Sequence, residues 1–413
     1  MRIAILNWSR RKAGGIETYL GAVMPALVHA GHELAFWHEV DLPRNRERIV
    51  LPERTPAWSV EESDAASALG KLRAWRPDLL YTHSLLDPAI ERQTLSVAPA
   101  VFFGHAYYGT CISGEKTFKN PIITPCHRRF GWQCLLHYYP HRCGGWSPVT
   151  MLHEYWRQSE RLELLFRYRA IVTHSAYMRE EYVRHGLRHT VYHLPYESES
   201  HSPVSFHRRL PSTVSLATAE TLNHEQPWRL LFVGRMDRLK GGRTLLDALP
   251  EVLEFLERPL RVTFAGDGPD RQAWERQASR LSARRPELNI RFVGWVASHE
   301  IGAFFDAADL LILPSLWPEP FALVGMEAGR HRLPVAAFAV GGIPEWLHPG
   351  ENGHLAPGDP PTASGLAQAI AACLDDRDHH MCLREGAAAV ADRLSMNFHV
   401  AALLKVFEDV VRT

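Results

Sequence analysis

The chain has 413 residues, with 46 Lys and Arg against 46 Asp and Glu, so it carries no formal net charge at pH 7. Hydrophobic residues make up 46% and charged residues 22%, ordinary globular proportions that exclude a disordered polyelectrolyte. At about 150 residues per domain the length predicts two to three domains. Zero net charge argues against nucleic-acid binding through bulk positive charge. No run reaches the roughly 18 apolar residues of a spanning helix, and the apolar run in MRIAILNWSRRK is too short for a secretory leader. The expectation is a cytoplasmic chain, with peripheral contact at the inner face of a membrane left open.

Short apolar runs alternate with amphipathic segments. Residues 2–6 (RIAIL) predict a buried strand. Residues 16–30 place Ile16, Tyr19, Leu20, Val23, Met24, Leu27 and Val28 at helical spacing, with Pro25 inside and Gly31 as the stop. Further strands are predicted at 79–82, 100–103 and 170–173. The stretch 197–227, rich in Ser, Thr, His and Pro without a clear period, predicts a linker. The pattern then restarts with a strand over 230–233 and a helix over 245–256 that contains Pro250. Strands over 262–265, 290–293, 310–313 and 335–338 follow. A shift of 227 residues carries Arg2 onto Arg229 and Gly14-Gly15 onto Gly241-Gly242, so both halves open as strand, loop, Gly-Gly, helix. The last segment, 397–411, spaces Val400, Leu403, Leu404, Phe407 and Val411 as a helix. Strands alternating with helices predict parallel pairing and an α/β class, two doubly wound Rossmann-like domains facing a central cleft. In such sheets ligands bind beyond the carboxyl ends of the strands.

Candidate chemistry falls at those ends. Gly14-Gly15 lets main-chain N–H groups approach an anion at the start of a helix. A turn without a ligand is the competing reading, and the absence of G-x-G-x-x-G disfavours a nicotinamide dinucleotide. After Gly234, Arg235 and Lys240 stand five apart, a planar fork and a point charge suited to clamping a diphosphate. Either alone would read as a solvated cation. Glu319 and Glu327 stand eight apart across a loop-to-helix junction. The N–H groups of Phe321, Ala322, Leu323 and Val324 would lie at that helix start, suited to phosphate or sugar oxygens. An acid that only complements the helix dipole is the plainer alternative. Gly266-Asp267-Gly268 and Gly341-Gly342 with Glu345 read mainly as turns.

Taken together, residues 229–360 resemble the retaining nucleotide-sugar glycosyltransferases of family four, a group 1 family with the GT-B fold. The strings FVGRMDRLKGG, FAGDGPDR, FVGWV, LPSLWPEPFALVGMEA, PVAAFAVGGIPEWL and NGHLAPGDP carry the resemblance in order and spacing. The first half matches more loosely, through GGIETYL, His105 and VTHSAYMRE. The resemblance implies that Arg235 and Lys240, after Gly234, bind the donor pyrophosphate and stabilise the leaving UDP or GDP. Glu327 would hold the ribose and Glu319 the transferred sugar. Amides of Phe321, Ala322, Leu323 and Val324 would contact sugar or phosphate oxygens, and Gly15 would approach from the other domain. Gly294 and Trp295 would line the base, and His105 would sit near the reacting face. It also implies sugar transfer with retention, without a required cofactor, to a glycan, lipid-linked or small-molecule acceptor in polysaccharide biosynthesis. Ala322 and Arg332 stand where the family usually has glycine. The expected division is a first domain over 1–196, a linker over 197–227, a donor domain over 228–394 and a terminal helix over 395–413 crossing back. A nucleotide-sugar-binding protein or inactive partner with this fold, and a sugar-phosphate synthase or epimerase, are the alternatives.

Cys111, Cys126, Cys134 and Cys143 lie in an insertion over 105–150, at intervals of 15, 8 and 9. Structural zinc, disulfides and free thiols in a packed loop are the three readings. A reducing compartment favours metal, while the spacing is not that of a C-x2-C finger. Tyr107, Tyr108, Phe118, Phe130, Trp132, Tyr138 and Tyr139 either fill a small core or stack on an acceptor. Arg128, Arg129 and Arg142 could meet an acceptor phosphate. No strong basic amphipathic helix stands out.

Overall fold

The computed structural model describes residues 1–12, 14–44, 46–188, 190–194, 226–297, 299–393 and 396–412. The expected linker lies outside them up to residue 225, as do the expected boundaries at 196 and 394–395. Among the described residues, seven parallel strands form the first sheet. They are β1 (Arg2–Ser9), β2 (Glu33–Val40), β3 (Ala57–Ser59), β4 (Leu79–Ser84), β5 (Ala100–Phe103), β8 (Ala170–Thr173) and β9 (Val191–His193). A two-stranded antiparallel ribbon, β6 (Thr117–Phe118) and β7 (Thr124–Pro125), belongs to the insertion. Six parallel strands form the second sheet: β10 (Trp228–Val233), β11 (Leu260–Ala265), β12 (Leu288–Gly294), β13 (Leu310–Leu313), β14 (Val335–Phe338) and β15 (Gly353–Ala356).

The sheet orders are β3-β2-β1-β4-β5-β8-β9 and β12-β11-β10-β13-β14-β15. Each domain therefore begins on a central strand and reverses its winding there. The loops after β1 and β10 leave the sheets at these switch points, where a crevice opens. Ile3, Ala4, Ile5 and Leu6 are fully buried, as a parallel strand covered by helices on both faces requires.

The first helix, Gly15–His29, turns Tyr19, Leu20, Val23, Met24 and Leu27 into the core. The helix Gly242–Leu256 begins three residues before the expected 245, because Gly241 at φ 72 ends the preceding turn. Four sheet strands have no counterpart in the sequence reading: β2, β3, β9 and β15. In β2, Leu34, Ala35, Phe36 and Trp37 form an apolar run as long as LLIL, so that part was open to the same reading; buried His38 and Glu39 carry the strand past it without an apolar signal.

The terminal helix, Met396–Arg412, packs on the first helix and on β5. Its His399 bonds the Tyr19 hydroxyl at 2.8 Å, and its Phe407 ring lies 5.0 Å from Tyr81. In the insertion, Ile112, Phe130, Tyr138 and Cys143 make a small core against Met151 and Tyr155 of a helix, Pro148–Leu165. Tyr107 and Tyr108 are buried as well, so these aromatics pack inside, while Trp132 is exposed. A fully buried Lys116–Glu181 ion pair roots the insertion on the helix Ala176–Arg184. Among the described residues no helix is long and apolar enough to cross a membrane.

Candidate active site

The carboxyl ends of the two sheets meet. The Tyr107 hydroxyl donates to the Pro318 carbonyl at 2.5 Å, and Ser175 Oγ donates to the Pro320 carbonyl at 2.6 Å. A side chain on Gly15 would lie 3.8 Å from Leu323. The first switch-point loop thus faces the start of the Glu327 helix.

On the second domain, Asp237 accepts from the Leu239 and Lys240 N–H groups, both at 3.1 Å, and so shapes the turn that presents Lys240. Lys240 Nζ donates to Glu319 Oε1 at 2.6 Å, and Ser315 Oγ donates to the same oxygen at 2.6 Å. Lys240 Nζ also lies 5.5 Å from the Trp317 ring centre. Glu319 is almost wholly buried, so its charge is stabilised by these two donors rather than by water. Arg235 differs: its side chain is 72% exposed and among the described residues reaches Asp237 alone, at 3.5 Å. One of the two expected cations is pinned, and the other is available to an incoming anion. Gly341, at φ 60, packs so tightly that a Cβ would meet the Glu319 carbonyl at 2.0 Å, and Gly342 N–H donates to that carbonyl at 2.8 Å. The glycine pair braces the Glu319 loop.

The helix that carries Glu327 runs Leu323–Arg330. Ala322 precedes it at φ 64 and supplies no side-chain cap, so its first N–H groups have no capping side chain. Glu327 is partly buried, and burial pushes its carboxyl up, opposed by Arg330 and His331. Gly294 closes β12 at φ 77. Trp295 is exposed next to it, with the Arg46 guanidinium of the first domain 3.5 Å over its ring.

On the first domain, His105 follows β5. Its Nε2 is bonded to His83 Nδ1 at 2.9 Å. His174 lies 5.5 Å away between ring centres, and His174 is in turn 5.6 Å from His399 and from Phe321. Burial, helped by His399, pushes the His105 imidazole down to about 3. Burial pushes His399 down to about 4 and holds His83 and His174 well below the usual range. All four rings are therefore neutral at pH 7.

Sequence reasoning did not anticipate Ser315, Trp317, Arg46, His83 or His399, and it took Glu345 for part of a turn. The Glu345 carboxylate instead accepts from the Ala176 and Tyr177 N–H groups, at 2.8 and 2.9 Å, across the domain interface. Ser315 and Trp317 flank Glu319 in the same string and were within reach of a closer reading. The others come from distant segments.

The six cysteines are free thiols. Burial pushes Cys143 up to about 12, and the neighbouring Cys111, Cys126 and Cys134 add to the shift. Among the described residues, no group of three or more His, Cys, Asp and Glu side chains is arranged to hold a metal ion. Cys111, Cys126 and Cys134 nevertheless lie near enough to act on Cys143, so structural zinc at these four thiols stays a proposal. Cys143 and Cys134 pack against the aromatic mini-core.

Two parallel-sheet Rossmann-like domains meeting over such a cleft define the GT-B glycosyltransferase fold. Residues 227–376 match the family model described as "Glycosyl transferases group 1". A D-inositol 3-phosphate glycosyltransferase of Corynebacterium kroppenstedtii is 31% identical over 187 residues, 44% of this chain. The match spans 41% of that relative's length. The glycogen synthase of Mycobacterium tuberculosis is 26% identical over 96% of this chain and 91% of its own. Among solved structures, Anabaena HepE in complex with UDP and glucose superposes with a TM-score of 0.66 at 18% identity, over 99% of this chain and 100% of HepE. Sucrose-phosphate synthase of Thermosynechococcus elongatus also reaches 0.66 at 18% identity, over 99% and 98%.

Proposed function

We propose that the chain is a retaining glycosyltransferase that moves a sugar from a nucleoside-diphosphate sugar to a glycan, lipid-linked or small-molecule acceptor. The observation that carries this reading is the Lys240–Glu319–Ser315 cluster at the second switch point, beside an exposed Arg235. The group 1 match over the second domain supports it, as do the relatives' names.

The donor diphosphate would lie between Arg235 and Lys240, with Gly15 opposite and the N–H groups of Phe321, Ala322, Leu323 and Val324 on its oxygens. Glu327 would take the ribose diol, Gly294 and Trp295 the base, and Glu319 a hydroxyl of the transferred sugar. In the reaction the bond from the anomeric carbon to the diphosphate oxygen breaks, and its electron pair stays on the diphosphate. The acceptor oxygen bonds to the same face of that carbon, and its proton passes to the departing diphosphate. Negative charge grows where Arg235 and Lys240 stand, so preorganised cations lower the barrier. His105, neutral at pH 7, would serve as a hydrogen-bonding partner for the sugar and not as a cation. No step runs through a metal or through the four clustered thiols.

The test is nucleoside-diphosphate release on mixing donor sugars with acceptor. Lys240→Ala is expected to lower turnover by ~10²–10³ with the thermal transition retained. Near-wild-type turnover by the folded variant would sink the assignment. Donor binding with no sugar release under any acceptor would favour a binding protein instead.

A further inference from the structure

Helix Pro148–Leu165 carries two apolar stripes, and among the described residues one of them is exposed. Its inner stripe, Met151, Tyr155 and Leu162, packs into the insertion's small core. Its outer stripe, Val149, Leu152 and Trp156, follows i, i+3, i+7 spacing and is exposed, Trp156 at 66%. The neighbouring short helix Gln133–His137 and its cap add Trp132 and Leu136, one turn apart and both 63% exposed. Trp146, 72% exposed, lies in the loop between them, stacked on Tyr139 with the Arg142 guanidinium 5.5 Å from its ring. Three exposed tryptophans within 25 residues are not a monomer's ordinary scatter of apolar side chains.

Charge selects among occupants. Between 120 and 165 the segment holds Arg128, Arg129, Arg142, Arg157 and Arg161 against Glu154, Glu160 and Glu163. Arg157 pairs with Glu154 at 2.5 Å and Arg161 is buried, which leaves Arg128, Arg129 and Arg142 exposed in the stretch that carries Trp132 and Trp146, in a chain whose total charge is zero. Tryptophan's amphipathic ring is favoured at the headgroup level of a bilayer, and arginine is attracted by anionic lipid. We infer that this lobe docks on an anionic membrane surface, inserting Trp132, Trp146, Trp156, Val149 and Leu152 between headgroups, with Arg128, Arg129 and Arg142 on the phosphates. The lobe begins directly after His105, so docking sets the first-domain side of the cleft next to the lipid. The inference stands on exposure and charge and does not need the transfer reaction.

The experiment is co-sedimentation of the full chain with vesicles of phosphatidylcholine alone, and of phosphatidylcholine with one third phosphatidylglycerol. Anionic vesicles are expected to bind at least tenfold more tightly, less so at high salt, with a blue shift of tryptophan emission. The variant W132S/W146S/W156S is expected to lose binding and emission shift, while its thermal transition and its response to nucleoside diphosphates stay unchanged. The variant R128Q/R129Q/R142Q is expected to lose the preference for phosphatidylglycerol. Absence of wild-type binding to either vesicle, or equal binding by the tryptophan variant, overturns the proposal. So does a dimer in solution that the tryptophan variant dissociates, which would make a second copy the occupant. The nucleotide response of the same samples tells a failed docking surface apart from a failed donor site.

Discussion

His399 illustrates how a single buried side chain ties titration to folding. It is neutral in the native state because burial lowers its pKa from 6.5 to about 4, whereas in the unfolded chain it protonates near 6.5. The native state binds fewer protons, so this contribution is complete above pH 6.5 and is lost as pH falls through about 4. Its ceiling is about 3 kcal/mol. Glu39, pushed up to about 7 by burial, has the opposite sign between pH 4.5 and 7, so the whole-protein profile mixes the two. His399→Gln keeps a hydrogen-bonding side chain toward Tyr19 and cannot titrate. Its melting temperature relative to wild type is expected to improve steadily from pH 6.5 to pH 4. A constant difference across that range would show that His399 is not the titrating group. Ala322 offers a second test. At φ 64 it holds the left-handed conformation that glycine takes without strain, and Arg332, at φ 57, does the same. Both are the positions where the family resemblance expects glycine. Ala322→Gly should stabilise the fold by about 1 kcal/mol, read from denaturant midpoints; an unchanged or lower midpoint would show that φ 64 carries no strain.

Among the elements, the loops after β10, β13 and β14 act as one unit. Gly341-Gly342 lies under the Glu319 backbone, and Glu319 in turn pins Lys240. Gly341→Ala would place a Cβ against the Glu319 carbonyl and strain a positive φ. A loss of about 2 kcal/mol or more is expected, together with weaker donor binding, since the displaced loop carries Glu319. Unchanged stability and affinity would show that the two loops are not coupled. Most sheet strands were legible because parallel strands buried on both faces read as short apolar runs, as in RIAIL and LLIL. The strand β2 holds such a run at residues 34–37, while its continuation through buried His38 and Glu39 carries no apolar signal. The helix Pro148–Leu165 was not isolated. Apolar residues lie on two of its sides, one facing the insertion's core and one facing water, so no single stripe marks it.

At the scale of the whole molecule, a few polar contacts hold the cleft: Tyr107 to Pro318, Ser175 to Pro320, and Glu345 to the start of the helix Ala176–Arg184. A carboxylate accepting two N–H groups at a helix N-terminus is favoured by charge and dipole together. Glu345→Gln is expected to weaken the interface by about 1–2 kcal/mol. It should raise the donor concentration needed for half-saturation severalfold while each domain keeps its fold. A variant with wild-type donor affinity and an unchanged small-angle scattering profile would show that Glu345 does not hold the domains together.

Read from residue order alone were the α/β class, the repeat of strand, Gly-Gly and helix, and the placing of Arg235, Lys240 and Glu319 in loops beyond strands, with Glu327 in the helix that follows. Those are local signals: side-chain periodicity, glycine at turns, and charges a few residues apart. Only the meeting of distant segments makes Glu319, itself bonded by Ser315, hold Lys240 while Arg235 is exposed. It also brought His83, His105, His174 and His399 together from four separate segments, and left Trp132 and Trp146 of the insertion and Trp156 of the helix after it exposed among the described residues. Each of these depends on which distant surfaces meet. Burial, hydrogen-bond partnership and pKa are properties of that meeting, and residue order along one chain does not contain them.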